Sequence, residues 1–266
     1  MFYFLATEYT SLFSYFNLFN YITFRTGAAI LTSLFFSLIF GEMIISKLTK
    51  FQPVGQPIRK DGPESHLIEK AGTPTMGGLL ILLSITASLF LWADISNNFV
   101  LICFFASVLF GSIGFVDDYQ KIKYQNHKGI KASTRIFLQV VFSIVIIFFI
   151  QKFLPDKINS TLSFPFFKNL VLDLGIFYFI VGILVIVGSA NAVNLTDGLD
   201  GLAIVPVMIV AMSFAFIVYV SGNVIFSEYL QITYIEDCGE LSVFCGAVIG
   251  SALGFLWFNA PPAKVF

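Results

Sequence analysis

Long apolar runs alternate with short polar segments along the chain, and seven of the runs are long enough to cross a hydrocarbon core of about 30 Å as tilted helices. They fall near residues 25–46, 74–93, 99–116, 136–152, 173–190, 201–222 and 241–258. None shows the period-2 alternation of an outer-membrane barrel, so the pattern predicts helices, not strands. The expected fold is an all-α, polytopic transmembrane helical bundle forming one membrane domain over residues 1–266, without a fixed-period repeat. Residues 1–24 are rich in aromatics and lack a basic n-region and a small-residue cleavage site. They predict an interfacial N-terminal segment instead of a secretory signal.

Composition strengthens this reading. Of the 266 residues, 57% are hydrophobic and only 12% charged, with a mean hydropathy of +0.88, which is bilayer composition. A net charge of −1 offers no basic field for nucleic acid, which is not an expected partner. The bases are unevenly placed. Lys47, Lys50, Arg59, Lys60, Lys70, Lys121, Lys123, Lys128, Lys131, Arg135 and Lys264 fall on one side of the expected topology, and only Arg25, Lys152, Lys157 and Lys168 on the other. The first side should face the cytoplasm, leaving the N-terminus outside. Cys103, Cys238 and Cys245 show no metal or disulfide spacing and read as inert thiols. His66 and His127 read as solvated loop side chains.

Three polar constellations lie on that basic side. In GFVDDYQK the third run ends in Asp117 and Asp118. Adjacent carboxylates repel, which a cation or a raised pKa resolves, and neighbours on a helix point about 100° apart, so the pair should have two jobs. A charged helix end in water is the plain alternative. A prenyl-diphosphate synthase would need DDxxD, but the fifth position is Lys121.

In SANAVNLTDGLDGLA, residues 189–203, Asn191, Asn194, Asp197 and Asp200 recur every third residue. Such a slow helical spiral can wrap a metal and a phosphate together, and carboxylate and amide oxygens suit Mg²⁺. Polar caps joining two helices are the structural alternative. In EKAGTPTMGG, residues 69–78, Lys70 and Thr75 precede the second run at a Gly- and Pro-rich helix start, which is a plausible anion cradle or simply a packing turn. The bases from Lys121 to Arg135 could hold a diphosphate or only set topology.

These motifs resemble the phospho-N-acetylmuramoyl-pentapeptide transferase family along essentially the whole chain. GTPTMGG at 72–78, FVDDYQK at 115–121, NAVNLTDGLDGLA at 191–203 and FNAPPAKVF at 258–266 follow that family's order. The related GlcNAc-1-phosphate transferases share the Asp pair, but the last two forms look more like the muramoyl branch. The resemblance implies transfer of phospho-MurNAc-pentapeptide from UDP-MurNAc-pentapeptide to undecaprenyl phosphate with Mg²⁺, giving lipid I and UMP in peptidoglycan synthesis. It implies a multi-pass protein of the bacterial inner membrane with its site on the cytoplasmic face, and it suggests a homodimer.

Carried over by residue, the expected catalytic positions are Asp117, Asp118, Asp197 and Asp200. Lys70, Thr75, Lys121, Asn191 and Lys131 are expected to bind substrate, and Asn194 and Asp197 to ligate metal. Asp117 is the expected acceptor of a proton from the lipid phosphate, or the group that orients it. Family members continue past a position like Phe266 with a segment like MGDTGS, which holds a further metal-binding Asp, and with more spans, to about ten. The expectation is therefore a C-terminally truncated or incomplete member, inactive unless the remainder is supplied. A transporter would also place Asp and Asn at broken helices, but at the midplane and with internal symmetry, neither of which the motifs show.

Overall fold

A computed structural model describes residues 1–9, 14–52, 55, 72–125, 129–164, 167–196 and 200–266. In chain order the elements are α1 (Phe2–Tyr9), α2 (Ile22–Phe51), α3 (Gly78–Trp92), α4 (Asn98–Tyr124), α5 (Ala132–Phe153), β1 (Thr161–Phe164), β2 (Phe167–Asp173), α6 (Phe177–Thr196), α7 (Ile204–Ser221), α8 (Val224–Leu230) and α9 (Leu241–Asn259), with 3-10 turns at Ser14–Asn20 and Cys238–Glu240.

The bundle is built around α9, the most buried span, which packs on α2, α3 and α7. Small residues permit this. α2 buries Arg25, Ala29, Ser33, Ser37 and Gly41 at a spacing of four, a single stripe along the helix. Facing it, α9 presents Gly246, Gly250 and Gly254, where an added Cβ would strike the backbone of Thr26 and Ile30 or the side chain of Ser37. In lipid, where apolar side chains gain little by leaving one apolar medium for another, such close backbone approach supplies the packing energy. Buried hydroxyls add interhelical bonds, Ser37 Oγ to Ser84 Oγ at 2.8 Å and Ser88 Oγ to the Ala29 carbonyl at 2.9 Å. Outward from this core α4 packs on α5 and α5 on α6, and α6 buries none of its described residues.

Six of the described helices are long and apolar enough to cross a membrane. The remaining expected span, the second, near 74–93, departs from its sequence boundaries. α3 has 15 residues, about 22 Å, and does not begin at residue 74. Residues Pro74–Gly77 are buried but irregular, because the Pro74 carbonyl accepts from Phe266 N–H at 2.9 Å and Gly77 N–H donates to the Phe266 carbonyl at 2.6 Å. Backbone groups that a helix would use internally are thus taken by the end of the chain. Met76 adopts a left-handed φ of 71°, which also breaks a helix.

The spans are helical as expected, and a short hairpin that the sequence pattern did not predict lies between α5 and α6. β1 and β2 form an antiparallel hairpin with Leu162 opposite Leu172 and Ser163 opposite Val171. The fifth span therefore begins at Phe177, not 173. The run around Leu170–Leu172 is apolar enough to be read as membrane but too short to span it, and pairing with β1 satisfies its backbone instead. Asp173 ends the strand. Its carboxylate accepts from Ser160 Oγ at 2.7 Å and Gly175 N–H at 3.0 Å, and both bonds hold it below the usual carboxylate range.

Polar contacts then sort to two poles. At one, α2, α3, α4, α5, α6 and α9 end together, tied by bonds between Gln52 and Thr75, Thr75 and Asp118, and Gln139 and Asn191. At the other, Arg25 meets Glu240 and the Trp92 carbonyl, and Asn97 reaches the Asp237 carbonyl.

Candidate active site

The first pole is assembled from three separate segments. α4 delivers Asp117 and Asp118 on successive positions, so the two carboxylates leave the helix in different directions. Asp117 is 3% exposed and is enclosed by positive groups. Its Oδ2 lies 2.8 Å from both Lys121 Nζ and Arg135 Nη2, and its Oδ1 accepts from Ile130 N–H at 2.8 Å. The repulsion expected of the pair is answered by these two cations, which the protein itself supplies. Gly129, in the left-handed region at φ +56°, lies against this carboxylate, and a side chain there would collide with Asp117 Oδ1 and press on Lys121 Cε. Only glycine fits that turn.

Asp118 is more open. Its Oδ2 accepts from Thr75 Oγ1 at 2.7 Å, and its Oδ1 lies 3.2 Å from Lys121 Nζ. Thr75 is itself fixed by Gln52, which accepts from the Thr75 N–H at 2.9 Å and donates to its carbonyl at 3.1 Å. Lys121 is thus shared between both acids, one helical turn below them, and leaves Asp118 as the member of the pair nearest to solvent.

α5 connects this network to the Asn helix. Arg135 faces Asp117, and Gln139, one turn along the same face and 6% exposed, accepts from Asn191 Nδ2 at 2.8 Å. α5 and α6 follow one another across the membrane and run in opposite senses. The turn of α6 after Asn191, which carries the exposed Asn194, therefore rises toward the level of Arg135. Asp200 lies in the turn before α7, next to Gly201, whose N–H donates to Asn259 Oδ1 at 2.9 Å.

Of the residues singled out by sequence, Thr75, Asp117, Asp118 and Lys121 form one connected cluster. Asn191 is linked to it through α5. Asn194, Asp200 and the exposed Lys131 border the same pole. Lys70 and Asp197 lie outside the described residues, as do His66 and His127. Among the described residues no three His, Cys, Asp or Glu side chains gather as a metal site. The oxygen donors at this pole, Asn194, Asp200 and Asp118, are nevertheless of the hard type that Mg²⁺ takes alongside phosphate.

Sequence reasoning missed Gln139, Gln52, and Arg135 as the specific partner of Asp117. A signal for Gln139 existed: an amide inside the apolar run IFLQVVFS is costly in lipid and calls for a partner.

Comparison with known proteins places the chain in a family. The profile of glycosyl transferase family 4 matches residues 100–266, which include both the acid pair and the Asn helix. The chain belongs to that family. Within glycosyl transferase family 4, residues 70–82 match signature 1 of phospho-N-acetylmuramoyl-pentapeptide-transferase, the segment that brings Thr75 to Asp118. The phospho-N-acetylmuramoyl-pentapeptide-transferase of Pelagibacter ubique is 50% identical over 266 residues, all of this chain and 73% of the relative. Those of Rickettsia felis and Rickettsia prowazekii are 54% and 53% identical over 250 residues, covering 94% of this chain and 69% of each relative.

Proposed function

We propose that this protein transfers phospho-MurNAc-pentapeptide from UDP-MurNAc-pentapeptide to undecaprenyl phosphate, releasing UMP and forming lipid I. One observation carries the choice within the family: the segment matching the muramoyl signature is the one whose Thr75 hydroxyl binds the Asp118 carboxylate. Three relatives at 50–54% identity bear the name of that activity.

Phosphoryl transfer asks the protein for positioning and charge neutralisation more than for covalent work. Asp117, with its oxygens already committed to Lys121, Arg135 and Ile130 N–H, positions two cations at the face where a diphosphate would lie. Asp118 is the better-placed acid for orienting the lipid phosphate or taking its proton, because Thr75 and Lys121 leave it partly open to the pole. Release of Lys121 from the acids toward a substrate phosphate would free Asp117 for the same task. Mg²⁺, held by Asn194 and Asp197 with the substrate diphosphate, would neutralise charge on the leaving UMP. Lys70, Asn191 and Lys131 complete the proposed substrate contacts.

The nucleotide substrate and the basic loops both favour a cytoplasmic location for this pole, in the inner membrane, with the N-terminus outside. The test is Mg²⁺-dependent UMP release by purified protein supplied with both substrates, for the 266 residues alone and for the chain followed by the family continuation. Release coupled to lipid I supports the proposal. Turnover with UDP-GlcNAc and not with UDP-MurNAc-pentapeptide would assign the related GlcNAc-1-phosphate reaction instead.

A further inference from the structure

Gln52 follows the last residue of α2, at the pole of the acid pair, and is 1% exposed. A buried amide is costly unless its donor and its acceptor are both used. Here both are. Gln52 Oε1 accepts from Thr75 N–H at 2.9 Å, and Gln52 Nε2 donates to the Thr75 carbonyl at 3.1 Å. A backbone N–H can only donate and a carbonyl only accept, so these partners fix which way the amide is turned. The side chain thus pairs with Thr75 as a neighbouring strand would. Its own backbone is held as well, with its N–H directed to the Leu48 and Thr49 carbonyls and its carbonyl accepting from Gly55 N–H at 2.9 Å. The helix end that carries it is packed: Ile44, Ile45 and Leu48 lie against the cluster of Leu80, Phe255 and Phe258 from α3 and α9.

Thr75 is a residue that needs such a clamp. It is 3% exposed and precedes α3, so no bond within a helix serves its backbone. With its N–H and carbonyl both tied to Gln52, the Thr75 side chain keeps only rotation about χ1, and its hydroxyl is turned onto Asp118 Oδ2 at 2.7 Å. One oxygen of Asp118 is thereby held from the side of α2, while the other faces Lys121. The clamp requires glutamine. Glu would lose the donor and set a charge against the Thr75 carbonyl, Asn is one methylene short, and Met would leave both buried backbone groups of Thr75 without this partner.

We propose that Gln52 is a positioning residue of the transfer reaction: by clamping the Thr75 backbone it sets the Thr75 hydroxyl against Asp118, and so fixes the direction in which that acid meets the lipid phosphate. The proposal rests on the role given above to Asp118. The influence of Gln52 passes through Thr75, which separates it from a residue that only joins α2 to α3.

The test is a set of paired substitutions in the chain followed by the family continuation, with UMP release read per folded molecule and thermal unfolding in detergent read beside it. Gln52→Met should lower turnover severalfold, no further than Thr75→Val does, with KM for the nucleotide substrate near that of the parent. In the Thr75→Val background Gln52→Met should lower turnover no more, because the hydroxyl that Gln52 aims is gone. In the Thr75→Ser background, which keeps a hydroxyl, the loss should return. A joining role alone gives losses that simply add. In protein labelled at threonine methyls, the Thr75 resonance, identified by its disappearance in Thr75→Val, should move in Gln52→Met and also in Asp118→Asn. Gln52→Asn goes through the same set and guards against failure of Gln52→Met to fold. Turnover of Gln52→Met equal to that of the parent, an undiminished loss in the Thr75→Val background, or an unmoved Thr75 methyl overturns the proposal. A parent that turns over neither UDP-MurNAc-pentapeptide nor UDP-GlcNAc removes the proposed function, and the methyl resonance then decides by itself whether Gln52 holds Thr75 on Asp118.

Discussion

Each pole of the bundle buries an ion pair, and the two differ in how completely the charges are used up. At the Arg25–Glu240 pole one guanidinium meets one carboxylate in a two-pronged pair, with Glu240 also accepting from Asp94 N–H at 2.8 Å. Arg25 lies over the Tyr3 ring at 4.5 Å and donates to the Trp92 carbonyl. The pair joins α2, the α3–α4 turn and the start of α9, and both residues are buried. At the other pole two acids share two bases, Lys121 serves both acids, and Asp118 keeps access to solvent. The closed pair holds helices together. The open cluster can exchange partners, which a site for anionic substrates must do.

Breaking the closed pair should have the largest effect on the fold. Glu240→Ala strands a buried guanidinium, and loss of one partner of such a pair costs about 3–5 kcal/mol. Thermal unfolding in detergent should report this, with turnover per folded molecule little changed. Next comes Asp118→Asn, which keeps the shape and removes the charge. By analogy with loss of one preorganised transition-state contact, turnover should fall about 10²–10³-fold, while the unfolding temperature stays near that of the parent. Thr75→Val removes the hydroxyl donor to Asp118, a bond worth about 1 kcal/mol; turnover measured against the parent should drop severalfold. The smallest effect belongs to Lys264→Ala. Its contact with Glu42 is 4.0 Å long between exposed groups, so stability should change by less than about 0.5 kcal/mol.

Much of this contrast was legible in the chain, and the division has a physical basis. Period and length located the helices, because a bilayer demands about 20 apolar residues whatever their neighbours are. Thr75, Asp117, Asp118 and Lys121 stood out because polar groups at a span end are costly unless used. The closed pair did not stand out, although Arg25 was visible as a base at the start of a span. Its partner is 215 residues away, and only the packing of α2 on α9 brings them together. The hairpin was hidden for a related reason: Leu170–Leu172 carries the composition of a span, and its backbone finds a partner in β1 that no local pattern reveals. The irregular Pro74–Gly77 segment depends likewise on bonds to Phe266.

The contrast between the poles is tested most directly by UMP release per folded molecule for the parent, Asp118→Asn and Glu240→Ala, each followed by the family continuation and assayed side by side with both substrates and Mg²⁺. Release should collapse in Asp118→Asn at unchanged folded fraction and persist in the folded fraction of Glu240→Ala. Equal loss in both variants, or full turnover by Asp118→Asn, would contradict the assignment of the reaction to the open cluster.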